Sequence, residues 1–380
     1  MPEATYAKGL EGVIAAESRI SRVDGENGKL YYLGYSITDL VENCDFEEAT
    51  YLLLYGELPD SAKLEKFRKK MRDARDLQDP IVQMIKNFPP KAKPMELLQS
   101  SVAYLSGYVE HSIQHSATCN CRKTLHQIVQ LTGVVAGLAR IRDGKEYVPA
   151  RKDLSHGANF LYQLHGVVPD DFEGEVMDDA LILHAEHGFN ASTFTARVVA
   201  STVSTCYSSI SAAIGALYGS LHGGANEKAM LMVEEIGDKS KAADFVNNTL
   251  DNHGKIMGMG HRVYKAKDPR AVIMENYLLE LSKRKGDMRY YDILKEVEMV
   301  FRARMEEKGK PIYPNVDFFS GAVYSLLGIP TELFTPIFAM SRVSGWLAHI
   351  LEQREDNRLF RPRALYVGHD ERAFVPLDRR

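Results

Sequence analysis

The stretch ASTFTARVVASTVSTCYSSISAAIGALYG, residues 191–219, decides the fold. It is dominated by Ala, Ser, Thr, Val and Ile, with Arg197 its one charged residue. It is therefore apolar or small around most of its circumference, and a helix of that kind is buried. Small side chains let helix axes approach closely, which suits the centre of a large bundle or a subunit interface.

Amphipathic helical patterns surround this stretch. Asp45 followed by Glu48 resembles a capping box, and it precedes an apolar face of Ala49, Leu52 and Leu53 that Gly56 and Pro59 end. Leu64, Phe67, Met71 and Ala74 recur among Lys, Arg and Glu, giving a helix with a solvated basic face. Pro94 opens another helix, with Leu98, Val102 and Leu105. Helical patterns also fill 123–141 and 176–187, and they return at 271–285, 291–308, 320–328 and 336–353. Near the N-terminus, Val23 to Tyr32 sets turn residues between short apolar runs and reads as a small β-hairpin. No repeat of fixed period and no alternation of strand with helix appears, so the expected fold class is mainly α.

The 380 residues suffice for two domains and a large core. Hydrophobic residues at 45% and charged residues at 26% place the chain among folded globular proteins rather than disordered ones. The net charge of −4 lacks the basic excess of many nucleic-acid binders, so anionic ligands need local basic clusters. Cys44, Cys119, Cys121 and Cys206 are too few and too irregular for a disulfide framework, which suits a reducing interior. Cys119 and Cys121 form C-x-C near His115 and His126, without the usual zinc spacing; two ordinary thiols are the alternative to a metal site. The start has no apolar signal region, and nowhere do 18 apolar residues run together, so the expectation is a cytoplasmic protein without a membrane span.

Four stretches carry candidate chemistry. In His184-Ala185-Glu186-His187-Gly188-Phe189-Asn190, His184 and His187 fall on one helix face, but further metal ligands are lacking. Polar substrate contact by His187 or Asn190 stands beside a core role for His184. Gly219-Ser220-Leu221-His222-Gly223-Gly224-Ala225 is neither a P-loop nor a dinucleotide fingerprint. Its glycines let a ligand approach His222, and the adjacent helix N-terminus disfavours a protonated imidazole. A histidine in a mere turn is the alternative.

Gly258-Met259-Gly260-His261-Arg262-Val263-Tyr264-Lys265-Ala266-Lys267-Asp268-Pro269-Arg270 has a local charge of +3 over 261–270. Arg270 beside His261 reads as anion recognition next to an acid/base group, against a solvated basic loop. In Tyr313-Pro314-Asn315-Val316-Asp317-Phe318-Phe319, Asp317 is either a helix N-cap or a general base whose pKa its aromatic surroundings raise. Arg342 stands among apolar residues, where an arginine generally has an anionic partner. Arg354, Arg358, Arg361 and Arg363 give the C-terminal stretch a local +2 against Glu355 and Asp356.

Taken together and in order, G-S-L-H-G-G-A-N-E, G-M-G-H-R-V-Y-K-A-K-D-P-R and Y-P-N-V-D-F-F-S-G resemble the citrate synthase family, and the resemblance runs from Gly9 to Arg363. It implies a two-domain helical fold and a homodimer, with a large domain formed by 1–223 and 329–380 and a small domain, 224–328, that closes over the substrates. It implies condensation of acetyl-CoA with oxaloacetate, then hydrolysis of the thioester to citrate and CoA, with no metal and no cofactor.

By the matching motif positions, Asp317 is the base, His222 a donor to the thioester oxygen, and His261 the group that polarises the ketone. Arg270, Arg342 and His187 hold oxaloacetate, and Arg361 reaches in from the other subunit. The backbone of Met257, Gly258, Met259 and Gly260 receives the adenine of CoA, and Lys265 and Lys310 match basic positions that meet CoA. Gly188-Phe189 departs from the acidic residue many relatives carry there. The longer, NADH-inhibited forms carry an additional N-terminal β domain, whereas here the shared core begins within ten residues of Met1, so no such regulation is expected. A 2-methylcitrate synthase acting on propionyl-CoA, a non-catalytic helical scaffold and a histidine-rich metal hydrolase are the competing readings.

Overall fold

The computed structural model describes residues 6–108 and 125–380. Among the described residues are sixteen α-helices and one three-stranded antiparallel sheet, so the fold is mainly α as expected. The sheet comprises β1 (Ser21–Asp24), β2 (Lys29–Tyr32) and a short β3 (Tyr35–Ser36) that the hairpin reading did not include. Val23 pairs with Leu30, and Tyr32 with Tyr35.

The helices up to the glycine-rich turn are α1 (Ile37–Asn43), α2 (Phe46–Tyr55), α3 (Ser61–Asp73), α4 (Asp79–Asn87), α5 (Pro94–Leu105), α6 (His126–Arg142), α7 (His156–His165), α8 (Asp171–Ala185), α9 (Ala191–Ser201) and α10 (Cys206–Tyr218). There follow α11 (Ala225–Ile236), α12 (Lys239–Asp251), α13 (Pro269–Lys285), α14 (Arg289–Glu306), α15 (Val316–Leu326) and α16 (Phe334–Glu355). Side-chain caps start many of them. Asp45, Asp60, Ser155, Asp170, Asn190 and Thr205 each accept a backbone N–H in a first turn.

Three sequence readings change. Residues 191–219 form two helices, because Val203 takes a left-handed φ of 62° and the Thr205 hydroxyl caps a new helix at Ser208 N–H. The 176–187 pattern begins earlier, at the Asp170 cap, and ends at Ala185 because Glu186 is extended at φ −149°. His187 therefore lies beyond the helix and shares no helical face with His184. The 320–328 pattern begins at Val316, behind the Asn315 cap, so Asp317 sits inside the first turn rather than capping it.

The hub of the bundle is α16, which packs against α2, α5, α6, α8, α9, α10 and α11. Trp346 is completely buried on it, and truncation to Ala would cost about 3–5 kcal/mol. Small residues set its approach to α8: a Cβ on Gly345 would stand 2.3 Å from the Ala185 carbonyl oxygen. Helices α11 to α15 pack on one another, α13 and α11 against α15 and α12 against α14.

The tip of the hairpin reaches this second group. Gly25 O accepts from Lys265 N–H at 2.8 Å. A Cβ on Gly25 would come within 2.1 Å of Val263 O, so only glycine fits there. Residues beyond α16 are exposed except Phe360, which is half-buried. No helix among the described residues is long and apolar enough to cross a membrane. Cys44 is a free thiol, whereas Cys206 is disulfide-bonded, which the cysteine count did not anticipate.

Candidate active site

The turn before α11 holds His222. A Cβ on Gly223 would lie 2.1 Å from Leu217 O, so the turn closes this tightly only with glycine. Ser192, in the first turn of α9, meets the ring: its backbone N–H donates to His222 Nε2 at 3.2 Å, and its hydroxyl lies 2.8 Å from the same nitrogen. A backbone N–H can only donate, so Nε2 is the accepting nitrogen and the proton is assigned to Nδ1. Trp346 Nε1–H in turn holds the Ser192 hydroxyl at 3.2 Å. Burial, then the charge of Arg342, lowers the His222 pKa to about 4. The ring is thus neutral at pH 7, and burial rather than the helix N-terminus is the chief cause.

His261 is held in the opposite sense. Its Nδ1 accepts from Val263 N–H at 3.0 Å and Tyr264 N–H at 3.2 Å, so the proton is assigned to Nε2. Burial and the Arg270 charge bring its pKa to about 4. His187 stands edge-on to His261, with ring centroids 5.2 Å apart, and its Nε2 lies 3.2 Å from the Tyr264 hydroxyl. Burial, with Arg270 next, lowers its pKa as well.

Two buried guanidiniums link these groups. Arg270 is bidentate to Asp268, Nε to Oδ1 at 3.0 Å and Nη2 to Oδ2 at 2.7 Å, and Asp268 Oδ2 also accepts from Val316 N–H at 3.3 Å. One carboxylate therefore ties the arginine of α13 to the first turn of α15. Arg342 donates Nε–H to His184 O at 2.6 Å, while its Nη2 has no partner. Burial pushes Arg342 down to about 10, against the favourable charge of Glu186. Asp317 is half-buried in the first turn of α15, with its backbone N–H on Asn315 Oδ1 at 2.9 Å. Burial lifts its carboxyl to about 6, although Arg270 and Arg342 pull it down. Arg342 acts on His187, His222 and Asp317, and Arg270 on His187, His261 and Asp317, so the six form one electrostatic unit.

The structure clamps 257–260 onto the segment carrying Asp317. Gly258 O accepts from Asn315 N–H at 2.9 Å, and Gly260 N–H donates to Tyr313 O at 2.8 Å. Gly258, at φ 75°, would bring a Cβ within 2.6 Å of Phe318 Cα. The remaining expected residues stand apart. Lys265 is exposed and ion-paired with Glu26 of the hairpin turn, and Lys310 is exposed. Arg361 lies exposed in the C-terminal stretch, lining a cleft with Leu10, Phe194 and Arg358.

His184 is a core histidine: its Nδ1 bonds Ala180 O at 2.7 Å, and its ring packs on Phe338. No group of three His, Cys, Asp or Glu among the described residues could hold a metal ion. His115, Cys119 and Cys121 lie outside the described residues. Sequence reading missed Ser192, Asp268 and Tyr264 as orienting groups. Only their adjacency to Asn190, Arg270 and His261 pointed to them.

Residues 9–363 match the family described as "Citrate synthase, C-terminal domain". The chain is 43% identical over 376 residues to a citrate synthase of Deinococcus radiodurans, covering 98% of this chain and 99% of that one. It is 40% identical over 374 residues to a 2-methylcitrate synthase of Shewanella oneidensis, covering 98% and 97%. Its structure is similar to a citrate synthase of Thermoplasma acidophilum solved as a ternary complex with carboxymethyl coenzyme A and oxaloacetate: the TM-score is 0.92 at 34% identity, with 98% and 99% of the chains covered.

Proposed function

The chain belongs to the citrate synthase family, and on that premise we propose that its six-residue electrostatic unit condenses acetyl-CoA with oxaloacetate and hydrolyses the product thioester to citrate and CoA. The observation that carries the reading is the opposed pair of neutral histidines. Backbone N–H groups occupy Nε2 of His222 and Nδ1 of His261, so each ring has one N–H left for a substrate oxygen.

A methyl group beside a thioester is a far weaker acid than an ordinary carboxyl, and each pKa unit of mismatch costs about 1.36 kcal/mol. Asp317, raised to about 6, is a better base than a solvated aspartate. It takes the methyl proton while His222 Nδ1–H donates to the thioester oxygen, where negative charge develops. The resulting enol carbon attacks the ketone carbon of oxaloacetate, whose oxygen receives the Nε2 proton of His261. Water then cleaves the thioester, releasing CoA. The acyl group is thus converted to alkyl on transfer.

Arg270 and Arg342, with His187, hold the two carboxylates of oxaloacetate. The unpartnered Nη2 of Arg342 supports this, since a buried guanidinium N–H without an acceptor is costly. Arg361, exposed within one subunit, completes the neighbouring site of a homodimer. The backbone of 257–260 receives the adenine of CoA, with Lys265 and Lys310 beside it. Residues 224–328 form the small domain, inserted between 1–223 and 329–380. The reaction as written needs only the two substrates and water, in the cytoplasm at the entry to the tricarboxylic acid cycle.

Thiol release from acetyl-CoA and from propionyl-CoA, each with oxaloacetate, tests the proposal. Faster release from acetyl-CoA at low substrate is expected. A preference for propionyl-CoA would assign the chain to the activity named for its Shewanella oneidensis relative, and no release from either would refute catalysis.

A further inference from the structure

The mechanism leaves one buried carboxylate unused. Glu186 is completely buried and directly precedes His187. Three donors converge on its Oε1: the Ser21 hydroxyl at 2.9 Å, the Gly188 backbone N–H at 2.5 Å and His349 Nε2 at 3.1 Å. Gly188 N–H also reaches the Ser21 hydroxyl at 3.0 Å, so two side chains fix one peptide of the turn.

The direction of the His349 bond follows from its other nitrogen. Arg197 Nη1 lies 3.1 Å from His349 Nδ1. A guanidinium has no acceptor, so Nδ1 accepts and Nε2–H donates to Glu186. Arg197 is neutralised by Glu352 at 2.6 Å and donates Nε–H to Gln353 at 3.0 Å. Burial alone would raise the Glu186 carboxyl, but His349, Arg342 and Ser21 hold it below its usual range. The carboxylate therefore stays charged, and it is the largest favourable electrostatic partner of Arg342.

What this assembly holds is the His187–Asn190 turn. The chain leaves α8 at Ala185, Gly188 takes φ 63°, and Asn190 caps α9, whose first turn presents Ser192 to His222. We propose that Glu186, oriented by His349 and Ser21, is a positioning residue for the oxaloacetate site: it fixes the His187 turn through Gly188 N–H. This rests on the functional reading above and adds a residue that need not touch substrate.

The test compares Glu186→Ala and Glu186→Gln with wild type, by thiol release and by calorimetric titration with oxaloacetate alone. Loss of a charged hydrogen-bond anchor should raise the oxaloacetate Kd and KM of Glu186→Ala at least about tenfold, with the acetyl-CoA KM within about twofold of wild type. Glu186→Gln keeps an acceptor for Gly188 N–H and should recover most of that affinity. Ser21→Ala, milder and nearer the surface, should raise the oxaloacetate Kd about threefold even if Glu186→Ala does not fold. An unchanged Kd in Glu186→Ala or Ser21→Ala, equal shifts in both KM values, or a glutamine variant no better than alanine overturns the inference. A wild type that releases no thiol refutes the functional reading beneath it. A wild type that turns over beside variants of unchanged Kd refutes the inference alone.

Discussion

Lowering the pH should switch off turnover through Asp317 before it reaches the histidines. Asp317 is raised to about 6, while His222 and His261 are lowered to about 4. A base must be ionised, so activity is present above pH 6 and lost as pH falls through that value. At pH 5 about one site in eleven keeps an ionised Asp317, and the rate should fall about tenfold per further pH unit. The histidines already carry the proton they donate and stay neutral across this range, so a single proton governs the slope until about pH 4, where it steepens.

With both substrates far below saturation, the rate reports the free enzyme. With both saturating, it reports the complex, where the carboxylates of oxaloacetate offset the Arg270 and Arg342 charges that pull Asp317 down. The acid limb should therefore move to higher pH in the complex. Loss of thioester absorbance is the suitable assay, because its signal does not depend on thiol ionisation. Asp317→Asn should abolish the limb along with at least about 99% of turnover. A flat profile from pH 8 to 5, or a limb that survives in Asp317→Asn, would refute the reasoning.

Asp268→Ala should cost about 3–5 kcal/mol, because it strands the buried Arg270; urea unfolding reads this, and an unchanged midpoint would contradict it. Gly25→Ala should lose about 1–3 kcal/mol and lower activity by forcing the hairpin off Val263, whereas Gly107→Ala, with no atom of the described residues within 4 Å of an added Cβ, should not. Burial pushes Asp178 and Asp179 up to about 7, above their unfolded value near 4, so the folded chain binds more protons between those limits. Stability should thus be lost as pH rises through about 7, and Asp179→Asn should flatten that slope in melting curves. His156, His184 and His187 are lowered and act oppositely, turning the curve down below about pH 6.5. An Asp179→Asn melting curve that keeps the wild-type pH slope between about pH 5 and 7 would count against the aspartate assignment.

Much of this arrangement is legible in the sequence, for identifiable reasons. The apolar and small residues of 191–219 announce burial, but the break after Ser201 depends on one left-handed residue, Val203, which carries no sequence signal of its own. Because Thr205 resembles its neighbours in composition, its capping role shows only once the chain turns. The histidine and aspartate motifs are local and stand out among glycines and aromatics. Ser192, Asp268 and Glu186 act across the fold, through partners such as His222, Val316 and His349 that only packing brings near. Lys265 shows the converse: its match to a basic position is local in the sequence, whereas its ion pair with Glu26 of the hairpin turn appears only in the fold.

The seat of the hairpin on Val263 also sets an order of assembly. Gly25 and Val263 are about 240 residues apart, so at ~5–20 residues per second the hairpin waits roughly 12–48 s after synthesis for its counterpart. Throughout that interval β1, paired only with β2, is an edge strand, short and bearing Arg22 and Asp24, which limits pairing with another nascent chain. The loop of His261 is correspondingly buttressed only after most of the polypeptide exists. Catalytic competence is then a late event in the life of the chain, and a product truncated before residue 263 would lack the Val263 and Tyr264 N–H groups that hold the ring of His261.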